Sequence, residues 1–218
     1  MRNLRKSLVA LLVTLAAASV PAMAQRQTVG RPAVDASVLF GRTNGSAFTF
    51  TGASVGWVSH LNRGQILRGL MVSEKPCEYH YVVEEEYDSS GNLVNPGIDD
   101  LHEFDVYDIQ AGLGYHVRLL APRSRVVILS AGAGLYAGVR YGKEVTAFPK
   151  DSDKPDGPHL KSVGFVVTLV PEVKLEAFPL RNASVYLSCR PSLELLSGYG
   201  GKCSWIIPYA ALGVKYYL

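Results

Sequence analysis

Apolar and polar positions alternate along the chain, segment after segment, with turn-forming residues between the segments. In the clearest segment, residues 105–118, one set of alternate positions is apolar and has tyrosine near both ends: Tyr107, Ile109, Ala111, Leu113, Tyr115 and Val117. The other set is mostly polar or glycine: Val106, Asp108, Gln110, Gly112, Gly114, His116 and Arg118. A period of two predicts a β-strand with two different faces.

The strands predicted in this way are long. Residues 127–141 and 163–175 repeat the alternation, and each apolar face holds six or more alternate residues. Strands of soluble proteins average about 5–6 residues, whereas a tilted strand that crosses a membrane needs about 9–11. The length therefore favours strands whose apolar face meets lipid. The alternative is a soluble secreted β-sandwich, which would cover that face with a second sheet of shorter strands.

The spacing of turn residues divides the chain into eight strands, and the connections between them alternate in length. The predicted strands are 33–42, 47–59, 65–84, 104–119, 125–142, 160–178, 183–196 and 203–217. Short turns at 60–64, 121–124 and 179–182 fall at one end, and the long segments 85–103 and 143–159 fall at the other. This is the plan of an outer-membrane barrel. We expect an all-β fold, an eight-stranded antiparallel up-and-down transmembrane β-barrel, with a β-bulge in the third strand near Pro76.

The polar faces of these strands carry charged residues of both signs. They are Asp35, Asp108, His116, Arg118, Arg140, Glu172, Lys174, Glu176, Arg190 and Glu194. Eight strands enclose a space only wide enough for side chains, and buried charges require partners. We therefore expect these residues to pair inside a plugged lumen as structural filling. The alternative is a catalytic or conducting network.

The first residues indicate export. Arg2, Arg5 and Lys6 precede an apolar run from Leu8 to Val20, and Ala22-Met23-Ala24 offers small residues for cleavage. This order is typical of a secretory signal peptide, although an uncleaved anchor is the alternative. We expect a signal peptide at 1–24 and a barrel domain of 194 residues (218 minus 24) at 25–218, located in the outer membrane.

Composition adds little to this picture. The chain has 12 tyrosines and 21 glycines, and its formal net charge of +3 includes the three basic residues of the signal. The mature protein is therefore nearly neutral, and we expect no direct binding of nucleic acid. The three cysteines cannot all pair with each other. A bridge between Cys189 and Cys203 would join neighbouring strands, but the two residues fall on opposite faces, so the pairing stays open.

Candidate catalytic and metal-binding residues form no convincing site. Ser130, His116 and Asp108 could be drawn as a triad, but no strained Gly-x-Ser-x-Gly turn surrounds the serine. The carboxylates of the acidic segment (Glu84, Glu85, Glu86, Asp88, Asp99 and Asp100) fit a solvated loop better than a cation site. Asp151, Asp153, Asp156 and Gly157 lack the ligand spacing of an EF-hand. We expect no catalytic residue, cofactor or metal.

Several sequence segments together resemble a known family. The signal ends in Ala24-Gln25, and residues 164–168 read Gly-x-Val-x-Thr before Pro171-Glu172-Val173-Lys174-Leu175-Glu176. A hairpin with Arg190, Glu194, Leu195 and Ser197-Gly198 follows, and the chain ends Tyr209-Ala210-Ala211-Leu212-Gly213-Val214-Lys215-Tyr216-Tyr217-Leu218. Over most of the mature chain, this layout resembles the TraO proteins of conjugative transposons in Bacteroidota.

The resemblance implies a non-enzymatic component of a conjugal DNA-transfer apparatus, with outer-membrane lipid and other envelope or conjugation proteins as partners. It carries over no functional residue. Two further hypotheses follow from the barrel itself. One is a general outer-membrane barrel for adhesion or envelope anchoring that acts through its loops, and the other is a lipid-modifying barrel enzyme with His116 at its centre.

Overall fold

A computed structural model describes residues 31–43, 46–61, 64–95, 97–120, 127–142, 145–146, 159–160, 163–180, 182–198, 202–203 and 205–218. Eight long strands run through these residues. They are β1 (Ala33–Thr43), β2 (Ser46–His60), β3 (Gly64–Val83), β4 (Ile98–Leu120), β5 (Val127–Gly142), β6 (Val163–Ala177), β7 (Ala183–Ser197) and β8 (Ile206–Tyr217). The predicted signal peptide and the mature start at Gln25 lie outside the described residues.

The eight strands form a closed antiparallel barrel. Each strand pairs with the next along the chain, from β1 with β2 to β7 with β8. The sheet closes where β8 pairs with β1 over eight residue pairs, from Ala33↔Tyr217 to Phe40↔Ala210. No helix among the described residues is long and apolar enough to cross a membrane. The predicted eight-stranded up-and-down barrel is confirmed.

The strand ends agree with the prediction to within two residues except at the starts of three strands, β4, β6 and β8. The strand β6 begins at Val163 instead of 160, and His159–Leu160 is a separate short strand. The strand β4 begins at Ile98 instead of 104, because it stays paired with β3 far past the point where the other strands end. The long predicted loop at 85–103 is therefore only the connection 84–97, which holds a small hairpin of Glu86–Tyr87 with Leu93–Asn95. The strand β8 begins at Ile206, and Lys202–Cys203 is a separate short strand.

The expected bulge near Pro76 is wrong. The register between β3 and β4 is continuous from Gly64↔Val117 to Val83↔Ile98. Alternate residues of β3 from Gln65 to Lys75 face the inside, although Leu67 and Met71 are apolar and lie in the lumen. Pro76 lies beyond Ser73, where pairing with β2 has ended. Since proline lacks an N–H, it is tolerated along such an open edge.

The outer wall is an apolar belt between two rows of aromatic side chains. Trp57, Tyr115 and Tyr216 are exposed towards the turn end, and Tyr107 and Tyr141 are exposed towards the loop end. Tyr107 and Tyr115 are eight residues apart on β4, which corresponds to a height of about 20 Å for a strand tilted by about 40°. The side chains between the rows are apolar and exposed, for example Ile109 and Leu113. Outer-membrane barrels present such a belt to lipid.

Glycines on the inner face make room for large side chains. A Cβ added at Gly112 would lie 2.4 Å from Cδ1 of Tyr136 and 2.5 Å from the carbonyl oxygen of Leu135. At Gly114, two residues along the same face, the nearest atoms would be 3.4 Å away. Glycine is therefore required at the first position by packing and not at the second.

We predict that Gly112→Ala destabilises the barrel by about 1–3 kcal/mol, because the added methyl group overpacks the wall and the backbone at Leu135 cannot move away cheaply. Gly114→Ala is the matched control and should change stability little. Urea unfolding in detergent micelles measures both. Equal losses in the two variants would contradict this account of the inner wall.

Candidate functional site

Charged side chains from five strands meet in the half of the lumen nearer the turn end. Nζ of Lys215 lies 2.8 Å from Oε2 of Glu176, and the hydroxyl of Tyr217 donates to Oε1 of Glu176 at 2.6 Å. Nζ of Lys174 lies 3.4 Å from Oε1 of Glu172 and 3.9 Å from Oδ2 of Asp35. We call this set the lower cluster, with members Asp35, His116, Glu172, Lys174, Glu176, Arg190 and Lys215. All of them are buried.

A second charged set, the upper cluster, lies nearer the loop end and consists of Lys75, Asp108, Arg140 and Glu194. Arg140 donates to both carboxylate oxygens of Asp108, from Nε at 2.6 Å and from Nη2 at 2.7 Å. The same Nη2 lies 2.8 Å from Oε2 of Glu194, and Nζ of Lys75 donates to that oxygen at 2.6 Å. Two-pronged arginine–carboxylate contacts are strong and directional, so they fix the orientation of Arg140 relative to Asp108.

An apolar layer separates the two clusters. Its members pack together and are buried: Leu39, Met71, Tyr136, Val170 and Ala211. On β3, for example, Met71 lies between Gln65, which accepts from Lys215 of the lower cluster, and Lys75 of the upper one. Since these side chains are at most 3% exposed, water does not reach this layer from either end. Over this stretch, the barrel is plugged by its own side chains.

The charges of the two clusters balance. Among the described residues, the clusters hold five lysine or arginine side chains: Lys75, Arg140, Lys174, Arg190 and Lys215. They also hold five carboxylates, namely Asp35, Asp108, Glu172, Glu176 and Glu194. Equal numbers allow each buried charge to lie near an opposite one, which is the condition for keeping charges inside.

Most residues predicted to face inwards do so. Eight of the ten are buried, namely Asp35, Asp108, His116, Arg140, Glu172, Lys174, Glu176 and Arg190, whereas Arg118 and Glu194 are half-buried. The prediction missed Lys75, because apolar residues on the lumen face of β3 interrupt its alternation of polar and apolar positions. It also missed the tyrosines Tyr186 and Tyr209, which are buried in the lumen. Tyr186 donates to Oδ1 of Asp35 at 2.7 Å, past the strand β8 that lies between them.

The three residues considered as a triad do not form one in this structure. Asp108 is occupied by Arg140 in the upper cluster. His116 belongs to the lower cluster, where its Nε2 lies 2.8 Å from Oε2 of Glu172. Ser130 is buried on the inner face of β5, two residues from the partner of His116 in the register. His116 therefore does not join Asp108 to Ser130.

The strands β3 and β4 run past their neighbours and form a projecting hairpin, residues 74–105. Pairing of β2 with β3 ends at Ser73, and pairing of β5 with β4 ends at Val106. The two strands stay paired with each other over residues 74–83 of β3 and 98–105 of β4, which extends about 26–33 Å at the usual rise per residue. The longest surface feature among the described residues is therefore at the loop end.

A disulfide between Cys77 and Cys203 fixes the base of this hairpin. Lys202 and Cys203 pair with Glu78 and Cys77 along the free edge of β3. Because β1 and β2 separate β8 from β3 in the sheet, the connection between β7 and β8 reaches over the loop end to make this contact. Cys189 is free and exposed on the outer wall, so the considered Cys189–Cys203 bridge is absent.

The tip of the projecting hairpin is acidic and ordered by hydrogen bonds. Oδ1 of Asp88 accepts from the backbone N–H groups of Ser90 and Asn92, both at 2.8 Å, and Oδ2 accepts from Nδ2 of Asn92 at 2.9 Å. The Asn92 side chain holds the pKa of Asp88 below its ordinary value. His80 and Asp99 form an exposed pair further down the hairpin. The tip is therefore a defined, negatively charged surface.

Metal binding finds no support in the part of the chain that the structure describes. Those residues include no group of three or more histidine, cysteine, aspartate or glutamate side chains placed to hold a metal ion. In the acidic segment, Glu85 accepts a hydrogen bond from Tyr87, and Asp88 accepts one from Asn92 within the turn. The aspartates considered as a calcium loop, Asp151, Asp153 and Asp156, lie outside the described residues.

We predict that Arg140→Met lowers the free energy of unfolding by about 3–5 kcal/mol, because it leaves the buried carboxylate of Asp108 and the half-buried carboxylate of Glu194 without their shared partner. Arg42→Met, at an exposed arginine of β1, is the control and should change stability little. A double variant that also carries Asp108→Asn should recover part of the loss. Urea unfolding in detergent measures all three, and equal effects of Arg140→Met and Arg42→Met would refute the role of the pair.

We predict that Cys77→Ser with Cys203→Ser loosens the projecting hairpin and leaves the barrel intact, because the bridge joins only its base to the opposite loop. Hydrogen–deuterium exchange should become faster in peptides that cover residues 76–83 and 98–105 and stay unchanged in β5 and β6. Cys189→Ser is the matched control. Unchanged exchange in the hairpin of the double variant would show that the disulfide does not order it.

Comparison of the sequence with protein-family models and with curated proteins finds no match. Solved structures do resemble the fold. Neisserial surface protein A (NspA) is 12% identical, with a TM-score of 0.53 over 88% of this chain and 98% of its own. A major outer membrane protein from Thermus thermophilus is 11% identical, with a TM-score of 0.54 over 87% of this chain and 99% of its own. At such identity the likeness concerns the fold alone, and the chain has the fold of eight-stranded outer-membrane barrels.

Proposed function

We propose that this protein is a non-enzymatic outer-membrane barrel that serves as a component of a conjugal DNA-transfer apparatus and acts through its projecting hairpin. The observation that carries the proposal is the combination of a plugged lumen with a long, disulfide-anchored hairpin at the loop end. The resemblance to the TraO proteins of conjugative transposons supports a role in conjugal transfer. The apolar belt supports a location in the membrane.

The lumen supports a structural role better than transport or catalysis. Its charged side chains lie within 4 Å of an opposite charge, some at hydrogen-bonding distance, as in Arg140 with Asp108 and Lys215 with Glu176, and others further apart, as in Arg190 with Glu172 at 3.7 Å. A catalytic acid or base needs access to a substrate, and these groups are covered on every side by the wall and the apolar layer. The surface that remains for function is outside the barrel.

The projecting hairpin has the properties of a protein-binding surface. Large apolar side chains on it are at least half exposed: Val82, Tyr87, Leu93, Val94 and Leu101. Exposed carboxylates lie among them, at Glu84, Glu85, Glu86, Asp88 and Asp99. Along the described part of the β3 edge beyond Ser73, only Lys202–Cys203 pairs, so backbone groups stay available to an added strand. A partner with a basic, extended segment fits this surface.

The same hairpin also favours the second candidate, an adhesion or anchoring barrel. The first strand starts and the last strand ends at the turn end, because the number of strands is even. In outer-membrane barrels that end faces the periplasm, and the loop end faces the cell exterior. A projecting hairpin there could contact a recipient cell or a surface ligand. The two functions differ in whether DNA transfer depends on the protein.

We predict that deleting the gene from a donor strain abolishes or strongly reduces transfer of the mobile element, and that the wild-type gene restores it. A barrel in which a two-residue Asn-Gly turn replaces residues 79–102 should reach the membrane and fail to restore transfer. Mating frequency is the measurement, and the shift in gel mobility on heating verifies that each barrel is folded.

The control for charge is the triple variant Glu84→Gln, Glu85→Gln and Glu86→Gln, which keeps the hairpin and tests whether its acidity is needed. Undiminished mating without the gene would refute the conjugal role and leave adhesion, which binding of the deletion strain to recipient cells then tests. Full transfer with the shortened barrel would refute the hairpin as the working surface.

A further inference from the structure

One arginine interrupts the apolar belt on the outer wall. Arg68 is exposed on β3, on the face that otherwise carries Leu70 and Val72 towards lipid. In the register it lies between Trp57 of β2 and Leu113 of β4, which are both exposed. A charged side chain among lipid-facing residues is unfavourable near the middle of a bilayer, and the penalty falls towards the interface.

The side chain of Arg68 extends towards that interface. Its Nη1 donates to Oγ of Ser59 at 3.0 Å, and Ser59 is two residues nearer the turn than Trp57. Gly64, where β3 begins, is only four residues away along the strand, about 13 Å at the usual rise. Among the described residues no carboxylate pairs with this guanidinium. Its other N–H groups are therefore free to meet an anion at headgroup level.

A shallow groove of about 390 Å³ lies beside Arg68 on the side of the belt away from the turns. Its floor is the bare backbone of three glycines that face each other across β2, β3 and β4: Gly56, Gly69 and Gly112. Its far rim is the next outward row, Val55, Leu70 and Ala111. Ala111 is the smallest outward side chain of β4, which keeps the groove open in the midst of larger neighbours.

We propose that Arg68 and this groove form a binding site for one phospholipid of the leaflet at the turn end. The phosphate group accepts hydrogen bonds from the guanidinium of Arg68 and from the hydroxyl of Ser59, and one acyl chain lies in the groove. The order of the parts matches the polarity of that leaflet, because the cation reaches towards the interface and the apolar groove extends towards the bilayer centre. Trp57 flanks the headgroup, in the position that interfacial aromatic residues favour.

The proposal needs the protein to lie in a membrane, but it does not depend on conjugation or adhesion. It predicts that the barrel purified in mild detergent keeps one phosphatidylglycerol or phosphatidylethanolamine molecule when these lipids are added. Native mass spectrometry counts the bound lipid. Arg68→Leu should lower the apparent affinity about tenfold or more, because charge-assisted hydrogen bonds contribute at least that much.

Two further variants separate the parts of the site. Ala111→Leu fills the groove and should weaken binding of phospholipid while Arg68 remains. Arg68→Lys keeps the charge and should bind more weakly than wild type and more tightly than Arg68→Leu, since lysine lacks the planar fork. Arg42→Leu, at an exposed arginine of β1 away from the groove, is the control and should keep the lipid.

Glycerol phosphate tests whether the headgroup alone is recognised, and it should not displace the lipid at equal concentration. Displacement by glycerol phosphate would overturn the acyl-chain part of the site. Equal lipid occupancy in wild type, Arg68→Leu and Ala111→Leu, each verified as folded by its heat-dependent gel mobility, would overturn the site as a whole.

Discussion

Closure of the sheet is the constraint on which the rest of this structure depends. Backbone N–H and C=O groups at an open edge have no partner in hydrocarbon, so a sheet can lie in lipid only when its first and last strands pair. Here β1 and β8 do so over eight residue pairs. Closure with eight strands also sets the diameter of the lumen. Every inward side chain of the belt must therefore fit in a space about as wide as the side chains themselves.

The narrow lumen explains why contacts run between strands that are not neighbours. Lys75 of β3 meets Glu194 of β7, and Tyr186 of β7 meets Asp35 of β1. The desolvation of such charges offsets much of their attraction, so these pairs add little net stability compared with an apolar core. Breaking one of them is nonetheless costly, because the remaining charge cannot reach water. The pairs therefore fix the relative position of distant strands more than they raise the free energy of unfolding.

The alternation of polar and apolar residues and the strand length predicted the fold and most of the inward residues, because successive side chains of a strand point to opposite faces of the sheet. That signal failed on β3, where Leu67 and Met71 occupy lumen positions and Arg68 faces outwards. It also could not predict the cross-lumen partners or the Cys77–Cys203 bridge. These contacts depend on how strands far apart in the chain meet after closure, and no local pattern contains that information. The second strand of the projecting hairpin was missed over residues 98–103, because the acidic sequence around it resembles that of a solvated loop.

The hairpin departs from the rule that closes the rest of the sheet. Beyond Ser73 and Val106, the strands β3 and β4 have outer edges that their barrel neighbours no longer cover. Exposed edges invite unwanted pairing, and proteins commonly block them with proline, charge or a covering segment. All three devices are present here: Pro76, the exposed carboxylates of Glu78 and Asp99, and the segment Lys202–Cys203 that the disulfide holds against β3. Long strand edges that are partly blocked in this way can bind a partner selectively. This agrees with a functional surface on the projecting hairpin, outside the membrane.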